Sequence, residues 1–164
     1  MNLIVAVSSD WGIGYKNDLL FRIREDLRNF KKLTTNKIVV MGYNTLLSLP
    51  DSKPLPNRVN IVLSRKKNLE ISGAIVCNSL ENLEEVLSAY DQKDVFVIGG
   101  ENVYAQLINR CTTAYITKVE ANPPADAFFP NFDELADWRA EKEYFPSEKS
   151  DIPHKYTVYV KNSG

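Results

Sequence analysis

The sequence predicts an α/β fold with a mainly parallel sheet. Short apolar runs rich in β-branched residues, such as 3–7, 59–63 and 94–98, alternate with segments whose apolar residues repeat at helical spacing. The last two strand-like segments, 139–145 and 154–161, have no helix between them. They are therefore expected to pair antiparallel at the C-terminal end of the chain.

The chain's size and composition are typical of one globular domain, 1–164. It has 164 residues, of which 44% are hydrophobic and 25% charged. A net charge of −1 provides no overall field that would attract nucleic acid or a membrane. Cys77, Cys111 and the single His154 form neither a zinc set nor a disulfide framework, so we expect both cysteines to be buried. Because the start has no signal-peptide pattern and no large apolar helix face is evident, we expect a cytoplasmic monomer.

The predicted elements follow in chain order. Strands are predicted at 3–7, 37–41, 59–63, 74–77, 94–98, 114–120, 139–145 and 154–161, and helices at 20–33, 44–49, 80–90 and 101–108. Asn44 or Thr45 would cap the second helix, and Asn78 or Ser79 the third. Residues 10–18 and 50–57 are predicted loops, and the first of them carries Trp11 and Ile13, which need an apolar surface to pack on.

Asp26 does not fit the amphipathic pattern of the first helix. Ile23, Leu27, Phe30 and Leu33 form its apolar stripe, and Asp26 falls within that stripe. A carboxylate buried there must be paired, shifted in pKa or in use, since an unpaired buried charge is costly. The alternative is a carboxylate at the edge of the stripe, paired with Arg22 one turn earlier.

Two strand ends share a pattern that suits a phosphate. In both 39–45 and 96–102, a strand runs into glycine and then into the start of a helix. Glycine allows a ligand close to the backbone, and two such ends on neighbouring strands could hold a pyrophosphate. The alternative is a pair of tight turns, and the standard dinucleotide and nucleotide-triphosphate fingerprints are absent.

Other polar residues allow both a functional and a structural interpretation. The run Ser64-Arg65-Lys66-Lys67 suits a 2′-phosphate, which would favour NADPH over NADH, but such a run is also common in solvated turns. Arg58 follows a stiff proline-rich loop and could bind a carboxylate, or could be one more surface arginine. Thr117 lies in a predicted strand, where its hydroxyl needs a partner such as Asp26. His154 is expected to be structural.

Taken together, these motifs strongly resemble those of bacterial dihydrofolate reductases. They occur in register from near residue 2 to near residue 160 as Ile4-Val5-Ala6, Gly12-Ile13-Gly14, 26–33, Val40-Met41-Gly42, Pro54-Leu55-Pro56-Asn57-Arg58, Ile98-Gly99-Gly100 with Tyr104, Thr117, and Phe129-Pro130. The resemblance implies an eight-stranded sheet flanked by helices and an NADPH-dependent oxidoreductase of one-carbon metabolism. Such an enzyme reduces 7,8-dihydrofolate to tetrahydrofolate, with hydride to C6 and a proton to N5, and is a target of antifolates.

The resemblance also assigns site residues. Asp26 would hold the pterin and promote protonation of N5, Thr117 would brace Asp26, and Leu19 and Phe21 would act at the end of a lid formed by 9–20. The folate site would comprise Ile4, Val5, Leu27, Phe30, Leu49, Leu55, Ile98 and Tyr104, with Arg58 on the glutamate α-carboxylate. The NADPH site would comprise Ala6, Ile13, Gly14, Asn17, Gly42, Tyr43, Asn44, Thr45, Leu63, Ser64, Arg65, Ile98, Gly99, Gly100, Glu101, Asn102, Val103 and Tyr104. No metal is implied.

The chain departs from the family pattern in four places. Leu20-Phe21 replaces Pro-Trp, Leu46-Leu47 replaces a more polar helix face, and Tyr43 stands where a basic residue often meets the cofactor phosphate. Glu101 stands where a small residue is usual, and we expect it to point outward because it would otherwise repel the pyrophosphate. Two alternatives stay open: a pyrimidine reductase of flavin biosynthesis with the same fold, and a pterin- or nucleotide-binding protein without turnover.

Overall fold

The fold is built on an eight-stranded sheet, described by a computed structural model that covers residues 1–147, 150 and 152–163. In chain order its strands are β1 (Asn2–Val7), β4 (Ile38–Gly42), β5 (Val59–Leu63), β6 (Ala74–Cys77), β7 (Val95–Gly99), β8 (Thr113–Val119), β10 (Trp138–Tyr144) and β11 (His154–Lys161), and the strands β2, β3 and β9 of a second sheet are described below. From edge to edge the strand order is β10-β11-β8-β1-β7-β4-β5-β6.

The predicted mainly parallel sheet with antiparallel C-terminal strands is confirmed. Strand β1 pairs parallel with β7 and β8, and β4 pairs parallel with β5 and β7. Strand β11 runs antiparallel to both β8 and β10. The central strands are buried because helices cover both faces, which is why their sequences are continuous apolar runs.

Four α-helices flank this sheet: α1 (Arg24–Thr34), α2 (Tyr43–Ser48), α3 (Leu80–Leu87) and α4 (Glu101–Leu107). Short 3₁₀ turns occupy Pro50–Ser52, Gln92–Asp94, Ile108–Arg110 and Phe132–Glu134. The Ser79 side chain caps α3 by accepting a hydrogen bond from the Asn82 N–H at 3.0 Å, which confirms one of the two predicted caps.

Three helix predictions need correction. Helix α1 begins at Arg24 rather than at residue 20, because Leu19 belongs to a strand and the Ile23 N-cap is extended. The predicted cap at Asn44 or Thr45 is wrong, since α2 starts immediately after Gly42, which is its N-cap. Helix α3 ends at Leu87, and turn hydrogen bonds rather than further helix follow it.

A second, three-stranded sheet replaces the predicted loop at 10–18. It contains β2 (Gly12–Tyr15), β3 (Asp18–Leu19) and β9 (Ala127–Phe128), in the order β3-β2-β9. Strand β9 lies more than a hundred residues further along the chain than β2, so no local sequence pattern predicts that the two strands pair. We call this the small sheet, and residues 9–20 the lid segment. Trp11, which immediately precedes β2 in the lid segment, stacks on Phe132 with ring centroids 6.4 Å apart.

The structure also bears on the state of the two cysteines and on whether a helix could span a membrane. Cys77 and Cys111 are buried free thiols, as predicted. Within the described part of the chain, no helix is long and apolar enough to span a membrane.

Candidate active site

One large cleft lies along the carboxyl edge of the main sheet. Its volume is about 1560 Å³, and its walls come from the ends of β1, β4, β5 and β7, from α1, and from the lid segment. Every residue that the resemblance assigns to catalysis, folate or NADPH lines this cleft. Lys31, Asn78 and Asp126 line it as well, although the sequence analysis assigned none of them to a binding site.

Asp26 lies in the cleft wall and contacts the predicted partner. The Thr117 hydroxyl donates a hydrogen bond of 2.6 Å to Asp26 Oδ1. Burial raises the pKa of Asp26, while the hydrogen bond from Thr117 and the charge of His154 act in the opposite direction. The alternative pairing with Arg22 is wrong, because Arg22 bonds at 2.6 Å to Asp18 within the lid segment.

The end of the cleft that the resemblance assigns to folate is apolar and ends at an arginine. Leu27 is 46% exposed although it lies on the apolar stripe of α1, so this stripe forms an open wall as well as packing on the core. The Arg58 guanidinium lies 5.9 Å from the Phe30 ring centroid. Burial lowers the pKa of Arg58, and its Nε is buried without a hydrogen-bond partner among the described residues. Arg58 is therefore partly desolvated and able to bind an anion.

Glycines bring two strand ends close together at the middle of the cleft. Met41 is in register with Gly99, so Gly42 and Gly100 are neighbours. A Cβ added at Gly42 would lie 3.1 Å from Val103 Cγ2, and one at Gly99, where φ is +120°, would lie 3.1 Å from the Tyr104 ring. Gly42 and Gly100 are also the N-caps of α2 and α4, and neither has a side chain to occupy the first helical N–H groups.

Tyr104 links this glycine pair to the first strand. Its hydroxyl donates a buried hydrogen bond of 2.7 Å to the Ile4 carbonyl oxygen. Burial raises the pKa of Tyr104 far above its ordinary value, so this hydroxyl stays protonated. The bond fixes β1 against α4 at the centre of the cleft.

The basic end of the cleft is organised by Asn78. Its amide donates to the carbonyl oxygens of Ser64 (2.7 Å) and Lys66 (3.1 Å), which fixes the turn that carries Arg65. Lys66 Nζ lies 5.3 Å from the Tyr43 ring centroid, so a cation adjoins the position where the chain lacks the usual basic residue.

Asp126 holds the small sheet together. Its Oδ2 accepts from the Lys16 N–H at 3.0 Å, and its own N–H donates to the Gly14 carbonyl at 3.0 Å. An aspartate in a loop has no periodic signal, which is why the sequence did not reveal this role. The expectation of an outward-pointing Glu101 is incomplete, because its exposed carboxylate accepts a 2.7 Å hydrogen bond from the Phe128 N–H of β9.

His154 has the contacts of a structural residue, as predicted. It is buried, with Nδ1 2.9 Å from the Ile152 carbonyl and Nε2 3.2 Å from the Tyr156 hydroxyl. Among the described residues, no group of three or more His, Cys, Asp or Glu could hold a metal ion.

The fold and the cleft define an α/β protein with one large cleft at the carboxyl edge of its sheet, lined by a hydrogen-bonded carboxylate and, at another point, by a basic turn. A family model described as dihydrofolate reductase matches residues 1–161. The chain belongs to the dihydrofolate reductase family.

Individual relatives agree along almost the whole chain. The dihydrofolate reductase of Buchnera aphidicola subsp. Baizongia pistaciae is 35% identical over 162 residues, covering 98% of this chain and 93% of that protein. The Staphylococcus aureus dihydrofolate reductase is 32% identical over 163 residues, with 98% of each covered. A solved structure of the Enterococcus faecalis dihydrofolate reductase, complexed with NADP(H) and RAB-propyl, is 31% identical with a TM-score of 0.84, covering 99% of this chain and 96% of that one. These matches favour the dihydrofolate reductase interpretation over both alternatives.

Proposed function

We propose that this protein reduces 7,8-dihydrofolate to tetrahydrofolate with NADPH, delivering hydride to C6 and a proton to N5. The observation that carries the proposal is Asp26, a carboxylate with a raised pKa, braced by Thr117 in the wall of the cleft. The family membership and the NADP(H) complex of the Enterococcus faecalis relative support it.

The residues of the cleft fit the cofactor. Gly100 leaves open space beside the backbone, since a Cβ added there would have one neighbour within 4 Å among the described residues, Thr45 Oγ1 at 3.5 Å, and this suits a diphosphate lying against the backbone. Ser64 and Arg65 on the rim offer a hydroxyl and a guanidinium for a 2′-phosphate. NADPH, when bound, supplies the hydride, and Ile13, Leu19 and the rest of the lid segment would keep water away from the reacting atoms.

Asp26 has two tasks in this proposal. Its free carboxylate oxygen accepts hydrogen bonds from the amino and ring N–H groups of the pterin, which orients the ring. Its negative charge favours the cationic pterin that forms when N5 gains a proton. The Thr117 hydroxyl donates to Oδ1 and thereby fixes the orientation of the Asp26 carboxylate. The other oxygen, Oδ2, is left to accept hydrogen bonds from the ligand.

Arg58 and the apolar wall would bind the rest of the substrate. Phe30, Leu49 and Leu55 pack along the p-aminobenzoyl group, and the Arg58 guanidinium binds the glutamate α-carboxylate. The buried Nε of Arg58, which has no partner among the described residues, supports this assignment.

The decisive experiment follows the absorbance of NADPH when dihydrofolate is added. Oxidation that requires both compounds is expected, and Asp26→Asn serves as the matched variant with a much lower rate at neutral pH. No oxidation at high protein concentration would overturn the proposal. Tight folate binding without oxidation would instead indicate a binding protein, and turnover of a pyrimidine substrate alone would indicate the flavin-pathway reductase.

We also propose that residues 1–164 form one cytoplasmic, monomeric domain whose partner is the small-molecule substrate, with no nucleic acid or membrane partner. The net charge of −1 and the family match over 1–161 support this. Size-exclusion chromatography with light scattering tests the monomer, and a dimer mass would overturn it.

A further inference from the structure

Glu101 lies between the cofactor loop and the small sheet. It follows Gly99 and Gly100 directly in the chain, and its Oε2 accepts the Phe128 N–H at 2.7 Å. Phe128 belongs to β9, which is an edge strand of the small sheet and is in register with Gly12 of the lid segment. One exposed side chain therefore joins two parts of the cleft wall that are distant in sequence.

A carboxylate at this position has an electrostatic consequence. The neighbouring glycines form the site proposed for the cofactor diphosphate, and like charges so close together repel each other. The bond to the Phe128 N–H turns the Glu101 charge toward β9 and gives it a donor. If β9 moves away, the carboxylate loses that donor and is left beside the diphosphate.

We propose that Glu101 is a positioning residue that couples closure of the lid segment to cofactor binding. With the Phe128 contact made, Glu101 fastens the small sheet to the cofactor loop and its charge is satisfied. When the contact breaks, the lid loosens and the released charge repels the cofactor, so the open form binds the cofactor more weakly and bound cofactor favours the closed form. This inference rests on the proposed function for the identity of the ligand.

The first test needs no ligand. Amide hydrogen exchange at Phe128 is measured by NMR in the free protein. Glu101→Ala removes the acceptor and should raise the exchange rate about tenfold, whereas Glu101→Gln keeps an acceptor oxygen and should change it by less than about threefold. Glu81→Ala, which removes an exposed first-turn glutamate from α3, is the matched control and should leave Phe128 exchange unchanged. Wild-type exchange in Glu101→Ala would overturn the proposal.

The second test repeats the hydrogen-exchange measurement at Phe128 with saturating NADPH. Because bound NADPH opposes the release of a negative charge beside it, NADPH should slow Phe128 exchange about three- to fivefold more in the wild type than in Glu101→Gln, which keeps an acceptor oxygen but has no charge to release. Raised salt should shrink this difference because it screens the repulsion. Equal slowing by NADPH in the two proteins would overturn the coupling. A protein that failed to bind NADPH at all would overturn the proposed function, whereas the exchange rates without ligand would still decide the role of Glu101.

Discussion

The hydrogen bond from Thr117 to Asp26 can be tested by replacing the hydroxyl with a methyl group. Thr117→Val keeps the shape of the side chain and removes a 2.6 Å donor to a carboxylate. A hydrogen bond to a charged group contributes about 1.5–3 kcal/mol, roughly twice a neutral one. For a chain of this size, that loss corresponds to a fall in Tm of roughly 3–12 °C at neutral pH.

The sign of the pH dependence follows from the raised pKa of Asp26. Burial penalises the ionised form, so the contribution of Asp26 to stability is complete below the unfolded pKa, about 3.9, and declines as pH rises through the folded pKa. The Thr117 bond offsets part of that decline. Without the hydroxyl the folded pKa rises further, so the fall in Tm should be about twice as large at neutral pH as at about pH 4.

Thr157 provides a matched control for the assay. It lies on the strand beside β8 and is 3% exposed, against 6% for Thr117, but its buried hydroxyl has no hydrogen-bond partner within the described part of the chain. Thermal unfolding of Thr157→Val should give a small change in Tm that is the same at both pH values. A pH-independent loss of Tm in Thr117→Val, or the same pH dependence in Thr157→Val, would refute the reasoning.

Three further substitutions test other parts of the site. Asp26→Asn should lower turnover about 10²–10⁴-fold at neutral pH and much less in acid, where the substrate arrives protonated, and near-normal turnover at neutral pH would contradict the mechanism. Arg65→Ala should lower the affinity for NADPH by about tenfold or more and change the affinity for NADH little, as measured by equilibrium fluorescence titration. An equal loss of affinity for both cofactors would mean that the 2′-phosphate is bound elsewhere. Gly12→Ala should destabilise by about 1–3 kcal/mol and slow hydride transfer, because the new Cβ would lie 2.7 Å from Ala125 Cβ. The double variant with Ala125→Gly should regain only part of the lost stability and rate, because the new Cβ would still lie 2.9 Å from Ser8 Oγ, and no recovery at all would show that the Ala125 contact does not cause the loss.

Local sequence patterns predicted most of the main sheet. Strands β5 and β6 were predicted to the residue, because their β-branched apolar runs end sharply at polar turn residues. Helix α1 was predicted four residues too early because Leu20 and Phe21 extend the apolar pattern beyond the helix. The small sheet was missed because its pairing joins Gly12 to Phe128, and nothing within either short segment specifies the other.

A site residue could be predicted from the residues alone where its polarity conflicts with that of its neighbours on the same helix face. Asp26 drew attention as a carboxylate within an apolar stripe, and the resemblance assigned the other site residues that line the cleft. Asp126 and Asn78 gave no such signal, because a polar residue in a loop is ordinary and their roles depend on which distant backbone groups they meet. The direction of the Glu101 side chain likewise depends on β9, which the sequence did not place.

The position of the last strand has a consequence for synthesis on the ribosome. Strand β11 supplies the neighbour on one side of β8, with Tyr156 in register with Thr117, although β8 was translated much earlier. Until residues 154–161 leave the ribosome, the strand that carries Thr117 has one unpaired edge, and the donor to Asp26 lacks its final support. A nascent chain can collapse around β1, β4 and β7 before this point, because those strands are complete. Full order at the carboxylate is therefore expected only once residues 154–161 have left the ribosome and paired with β8.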